Sequence, residues 1–334
     1  MGRWIAADPD GYRVLTETSD PRFLAHFSFD APRRRAFLDM GVGAEVENLA
    51  FVEDGETAIL VGTVASPHLG GAVIARSILR IDLVQNALVD AISLPRDGIA
   101  RGIAVDRYQR RAYLLNDDGE GRGEIQVVDL YGGTVEHAPV GDVPRGVRRK
   151  GLALDREGHY VFCLVGGEST RSDFAPVDEG EIEGPELVVL DGDSLSVVSR
   201  IPLHDRFEAR AVAYDETLDR VYVLETDREQ SLLVIVDPAF FEIRSRVALP
   251  EETTDLVLSG GYAFCPGPRG IYVVDLGIES LVGRPAVAFG FTGEIAVAGD
   301  LESAFVLYQS ASTGRGPGIA HVALRTGEVM DVLQ

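Results

Sequence analysis

The stretch from Arg101 to Val140 decides the fold: RGIAVD (101–106), RYQR (107–110), RAYLLN (111–116), DDGEGRGE (117–124), IQVVDL (125–130), YGG (131–133), TVEHAPV (134–140). It contains four short runs rich in β-branched, aromatic and aliphatic residues. Each is bounded by Gly, Asp or Asn, as strands joined by tight turns require. GIAVD is the first strand, RAYLLN the second, IQVVDL the third and TVEHAPV the fourth.

Six other stretches read the same way. WIAAD, YRVLTET, FLAHFSFD and RRAFLDMG make one unit. NLAFVE, TAILVGTV, ARSILRIDL and ALVDAISL make a second. KGLALD, YVFCLVGG, ELVVLDG and SVVSRIPL follow the quoted stretch. Then come RAVAYD, RVYVLETD, SLLVIVD and EIRSRVAL. A shorter sixth unit (DLVLS, YAFC, GIYVVDL) precedes a seventh (EIAVAGD, AFVLYQS, GIAHVAL, EVMDVLQ). The spacing is roughly 40–60 residues, the period of a β-propeller. A four-stranded unit exposes two apolar faces and cannot fold alone, and stacking it between copies buries both. The expected fold is all-β: one domain over 1–334, a seven-bladed β-propeller of four-stranded antiparallel blades. The blades fall at about 3–41, 46–94, 99–140, 147–203, 207–249, 253–289 and 290–334. Because four strands are found in every unit, blade seven is expected to meet blade one by packing, without exchanging a strand.

The third strand usually ends in Asp: Asp30, Asp82, Asp129, Asp191, Asp237 and Asp275, with Leu324 in the seventh unit. An Asp there caps a tight turn with its own side chain. Cys163 and Cys265 lie in apolar strands of different units and read as buried free thiols.

The formal net charge of -22 disfavours nucleic acid and anionic membrane surfaces as partners. No apolar run is long enough to cross a bilayer, so no membrane insertion is expected. MGRWIAAD lacks an apolar signal-peptide core. The chain is expected to be cytoplasmic, or periplasmic or extracellular if an export signal has been removed.

These repeats resemble YVTN-type propeller repeats, within the group of seven-bladed lactonase-like propellers. The resemblance rests on GIAVD-RYQRRAYLLN, GLALDREGHYVFCLV and AVAYDETLDRVYVLETD, each followed by a VVDL-like strand. VGDVPRG (140–146) matches the link between blades. It covers nearly the whole chain and implies the propeller fold. It implies no single activity, since the group includes binding proteins, surface proteins, subunits of redox enzymes and sugar lactonases.

In a propeller the first strand of each blade lines the central channel. Taking the residue just before each GIAVD-like run gives Arg3, Asn48, Arg101, Lys150, Arg210, Asp255 and Glu294, all polar. A basic arc of this kind binds carboxylates or phosphates through guanidinium forks. The same set can also neutralise itself as an ion-pair network. Lys150 is the single lysine among 31 Lys and Arg residues, and crowding by Arg would make it a candidate nucleophile. The lactonase resemblance implies a calcium-like ion held by Asn48, Asp255 and Glu294, but hard cations want six or more oxygens, so no metal is expected. No cofactor motif is present.

The loop Asn116–Gly121 lacks the full calcium-loop pattern and reads as a solvated turn. The six histidines do not cluster; His68 alone lies in a loop of the channel-mouth face. The acidic loop Glu168 to Glu186 reads as a lid, a docking loop or a solvated insertion. The expected function is a non-enzymatic binding or scaffold module for an anionic or zwitterionic small molecule or a protein partner. The alternative is a lactonase-like hydrolase or lyase acting on a small anionic substrate at the channel mouth.

Overall fold

In the computed structural model the quoted stretch forms four antiparallel strands, Ile99–Asp106, Arg111–Asp117, Arg122–Asp129 and Val135–Asp142. They pair in sequence order. The other repeats do the same, so every sheet is built from four consecutive strands. The chain is an all-β, seven-bladed propeller of four-stranded antiparallel sheets. From first strand to last, the blades span 5–39, 45–93, 99–142, 152–202, 208–249, 257–283 and 291–333. The structure describes all residues except 1–4, 8–12, 18–22, 29–33, 41–44, 53–55, 66–72, 95–97, 107–109, 145, 156, 167–183, 284–290, 299–300, 309–317, 327 and 334. The chain forms two compact units. The central unit, Asp97–Glu252, holds blades three to five. The terminal unit, Met1–Arg96 with Thr253–Gln334, holds blades six, seven, one and two.

The middle strands of each blade are apolar on both faces because both faces are covered. In the central unit Tyr113, Val161, Phe162, Cys163, Leu187, Val189, Val221 and Val234 form one continuous core. The Tyr113 hydroxyl donates to the Gly192 carbonyl at 3.1 Å, which satisfies a polar tip inside that core. Phe162 stacks on Tyr214 at 6.3 Å between ring centroids. In the terminal unit Ile5, Val14, Ala25 and Phe27 of blade one pack against Ala296, Phe305, Leu307 and Ile319 of blade seven. That apolar layer joins the first blade to the last with no strand shared. Cys163 and Cys265 are both buried free thiols.

The turn into the fourth strand recurs with one chemistry. Oδ1 of Asp82 accepts the amides of Val84 and Gln85 at 2.8 and 2.7 Å. Oδ1 of Asp129 accepts those of Tyr131 and Gly132 at 2.8 and 2.7 Å. Asp191 and Asp275 repeat the pair, and Asp237 keeps one bond, to Ala239. Asp30 lies outside the described residues. The fourth residue after each of these Asp is left-handed: Asn86 (φ 51), Gly133 (φ 69), Leu195 (φ 56), Phe241 (φ 54) and Glu279 (φ 52). Only Gly133 adopts that conformation without steric cost. The recurrence at Leu195 and Phe241 shows that the capped turn outweighs that local penalty.

Backbone amides hold two of these carboxyls below the ordinary aspartate range, chiefly that of Ser194 for Asp191 and that of Gly132 for Asp129. A depressed carboxyl contributes stability above its unfolded pKa and loses it as pH falls. Asp191→Asn should therefore lower the melting temperature at about pH 6 and lower it much less at about pH 3. An equal gap at both pH values, measured by thermal unfolding, would show that the carboxylate does not hold the turn.

Candidate functional site

The first strand of several blades carries one extra residue. In blade three Ala100 pairs with Asn116 and Gly102 with Leu115, which leaves Arg101 between them unpaired. In blade five Ala209 pairs with Glu225 and Ala211 with Leu224, which leaves Arg210. Such a bulge redirects a side chain away from the regular pleat. Lys150 takes the corresponding place in blade four and bridges Gly102 on one side and Ala211 on the other. Within the central unit Arg101, Lys150 and Arg210 are thus brought onto three neighbouring first strands at one register position.

The other members of the expected set occupy a different register. In blade two Val46 pairs with Gly62 and Asn48 with Val61, so the bulged residue is Glu47. Counting back from Val257↔Phe264 and Ile295↔Val306, Asp255 and Glu294 also fall one residue beyond the bulge position. One step along a strand reverses the face. Asn48, Asp255 and Glu294 therefore match Gly102 rather than Arg101. Arg3 lies outside the described residues, as do His68 and residues 168–183 of the acidic loop. Glu47 escaped the sequence reading because Glu47 and Asn48 are both polar, and the apolar run alone does not say which precedes it by one.

The two registers do different work. The Gly151 amide donates to the Arg101 carbonyl at 2.9 Å, and the Val212 amide donates to the Lys150 carbonyl at 2.7 Å. These bonds fasten each blade to the next, and they require close approach. A Cβ on Gly102 would stand 2.7 Å from the Leu152 Cβ, and one on Gly151 would stand 3.1 Å from the Arg101 oxygen. In the terminal unit the fastening oxygen comes from a side chain. Oδ2 of Asp255, in blade six, accepts the Ile295 amide of blade seven at 3.0 Å. Oε2 of Glu294, in blade seven, accepts the Ile5 amide of blade one at 3.1 Å. The second Asp255 oxygen accepts the Leu256 amide, and Oδ1 of Asn48 accepts that of Leu49, both at 2.8 Å. Glu47 is clamped by Arg76, whose Nε and Nη2 donate at 2.7 and 2.8 Å.

The guanidinium groups of Arg101 and Arg210 are engaged by carboxylates of the central unit. Nε and Nη2 of Arg101 both reach Oδ2 of Asp117, at 3.0 and 2.8 Å. The other Asp117 oxygen is held by the Gly119 and Gly121 amides. Nη2 of Arg210 lies 3.1 Å from Glu208 and 3.3 Å from Glu252. The two Arg side chains remain 25% and 22% exposed. Nη1 of each makes no hydrogen bond to a described residue. Gly146 of the link lies against blade five: a Cβ there would meet the Ala209 oxygen at 2.9 Å and the Arg210 Cδ at 3.3 Å.

Two buried titratable groups lie apart from this edge. Burial pushes the Cys163 thiol up to about 12, which leaves it inert. Glu225 is fully buried, and burial pushes its carboxyl up to about 7, against the His204 amide at 2.7 Å and the charge of Arg246. Its signal was a Glu inside the apolar strand RVYVLET, which the strand reading passed over. The 117–122 turn is tied by its own side chains: Asp118 accepts the Glu120 and Arg122 amides, and the Arg122 side chain bonds Asp118 and Glu120. Among the described residues no three His, Cys, Asp or Glu side chains are grouped to hold a metal ion.

No protein-family model matches the chain, and no curated protein does. Among solved structures it resembles a chain of Kuenenia stuttgartiensis hydrazine synthase, with a TM-score of 0.70 and 13% sequence identity over 97% of this chain and 96% of the other. A likeness at that identity is one of fold: both are seven-bladed propellers.

Two outcomes test this geometry. A raised carboxyl contributes stability below its unfolded pKa and loses it as pH rises through its folded value. Relative to Glu225→Gln, the wild type should lose stability on the order of 2 kcal/mol between about pH 5 and pH 8. Parallel denaturation curves for the two proteins across that range would refute the burial argument. Arg101→Gln strands the Asp117 carboxylate, which is 8% exposed, and should cost about 1–3 kcal/mol in urea unfolding. Arg210→Gln, beside solvated carboxylates, should cost under about 1 kcal/mol.

Proposed function

We propose that the protein is a non-enzymatic binding module. Its working surface is the Arg101–Lys150–Arg210 edge of the central unit. It takes an anionic or zwitterionic group, carried by a small molecule or by a protein partner. The observation that carries this reading is the division of labour along the first strands. The backbone carbonyls of Arg101 and Lys150 fasten blade to blade, while the guanidinium groups of Arg101 and Arg210 stay partly exposed beside carboxylates. The carboxylates beside Arg101 and Arg210 limit the motion of their guanidinium groups, so less entropy is lost when a ligand docks.

We also assign the repeats to the YVTN type within the lactonase-like propellers, on the wording of GIAVD-RYQRRAYLLN and its counterparts. The likeness to hydrazine synthase supports the propeller and carries no chemistry to this chain at 13% identity.

The lactonase-like alternative draws on one observation: Asn48, Asp255 and Glu294 share a register position in the terminal unit. They do not fit a hard cation. Of their five side-chain oxygens, four accept backbone amides, and such an ion asks for about six or more oxygen ligands.

Calorimetric titration with acetate and with inorganic phosphate at low salt tests the proposal. The Lys150→Gln/Arg210→Gln protein should bind either probe at least about tenfold more weakly than the wild type, with its melting temperature lowered by no more than about 4 °C. Unchanged affinity in the double variant would reject the edge as the binding surface.

A further inference from the structure

We infer that Glu225 is a proton-operated latch on the link 203–207: its neutral carboxyl seats the link between blades four and five, and ionisation releases it. The inference goes beyond the binding reading and does not depend on it.

The link is a short flap held at few points. Leu203 and Phe207 are buried at its two ends, and Asp205 and Arg206 between them are exposed. The Phe207 amide closes a turn on the His204 carbonyl at 3.1 Å, and the His204 ring meets the Phe207 ring edge-on at 4.8 Å. Two hydrogen bonds tie the flap to its surroundings. The Leu203 amide donates to the Pro185 carbonyl at 2.9 Å, and the His204 amide donates to Oε1 of Glu225 at 2.7 Å.

The acceptor in the second bond is an unusual choice. A carbonyl or a glutamine would receive the same amide with no charge at stake. Glu225 is fully buried, and its Oε2 accepts no hydrogen bond from a described residue. One amide and the charge of Arg246, on the exposed outer strand, are set against that burial, and burial wins. The other charged groups near the flap serve different partners: His204 Nδ1 accepts the Arg206 amide and lies 3.4 Å from Asp205, and Asp227 takes the Glu229 and Gln230 amides.

An ionised Glu225 therefore needs water at Oε2. The strands beside it are fixed by full ladders, whereas the flap is not, so the flap is the element that yields. A raised carboxyl loses its contribution as pH rises, so the flap opens more often at pH 8 than at pH 6. Opening also frees residues 184–185, which rest on it: a Cβ on Gly184 would stand 3.3 Å from the Asp205 Cα.

Amide-resolved hydrogen exchange on the full chain tests the latch. Rates are divided by their intrinsic values at each pH to give protection factors. Those of Leu203, His204 and Phe207 should fall about tenfold from pH 6 to pH 8 and lie at least about tenfold below those of Val223 and Leu233 in the core strands. Glu225→Gln should hold the flap equally protected at both pH values. His204→Gln keeps the amide and removes the imidazole, and the tenfold change should persist. Flat protection in the wild type overturns the latch, as does a change that survives Glu225→Gln or vanishes in His204→Gln. If flap and core amides exchange with equal protection, the opening is global unfolding and the latch is overturned. The wild-type and His204→Gln outcomes decide the matter by themselves if Glu225→Gln fails to fold.

Discussion

Within the central unit blades three, four and five, and within the terminal unit blades six, seven and one, are fastened near the start of the first strand by an oxygen that receives a backbone N–H from the neighbouring blade. A buried amide left without a partner costs about 1–3 kcal/mol, and at these joints an amide of one first strand faces the neighbouring blade. The chain supplies the oxygen in two ways. Where the position after the bulge is Gly102, Gly151 or Ala211, the backbones come close enough for carbonyl bonds from Arg101 and Lys150. Where that position is Asp255 or Glu294, the carboxylate itself reaches the next strand. One constraint thus explains both the glycines of blades three and four and the acidic residues of blades six and seven.

It also separates backbone from side-chain roles at the bulge position. Arg101 and Lys150 contribute their carbonyls to the joint. In blade two the side chain at that position, Glu47, is clamped by Arg76, which is buried. In blades three and five the side chains there, Arg101 and Arg210, are partly exposed and lie against carboxylates. The proposed binding edge and the inter-blade joint therefore involve the same residues, Arg101 and Lys150.

The capped turns were readable before any coordinates because their chemistry is local. An Asp followed by three or four residues and a new apolar run bonds its own neighbours' amides, as Asp82, Asp129, Asp191 and Asp275 do. The four-strand repeat was readable for the same reason, since alternation and turn residues repeat within about 40 residues. The candidate set was read across two registers. Arg101, Lys150 and Arg210 share one position, while Asn48, Asp255 and Glu294 lie one step on. A bulge shifts register by a single residue and leaves no mark in hydrophobic pattern, because the residues on either side of it are already polar or small.

By itself the sequence determined the number and order of the blades, the pairing of consecutive strands and the Asp that closes the outer turn of blades two to six. These depend on contacts between residues close along the chain. Only the tertiary structure decided that Asp255 and Glu294 fasten blades, that Glu47 rather than Asn48 matches Arg101, and that Glu225 is buried against the His204 amide. Each of those depends on which strand of another blade, or of another part of the same blade, lies within hydrogen-bond reach, and separation along the chain carries no record of that distance.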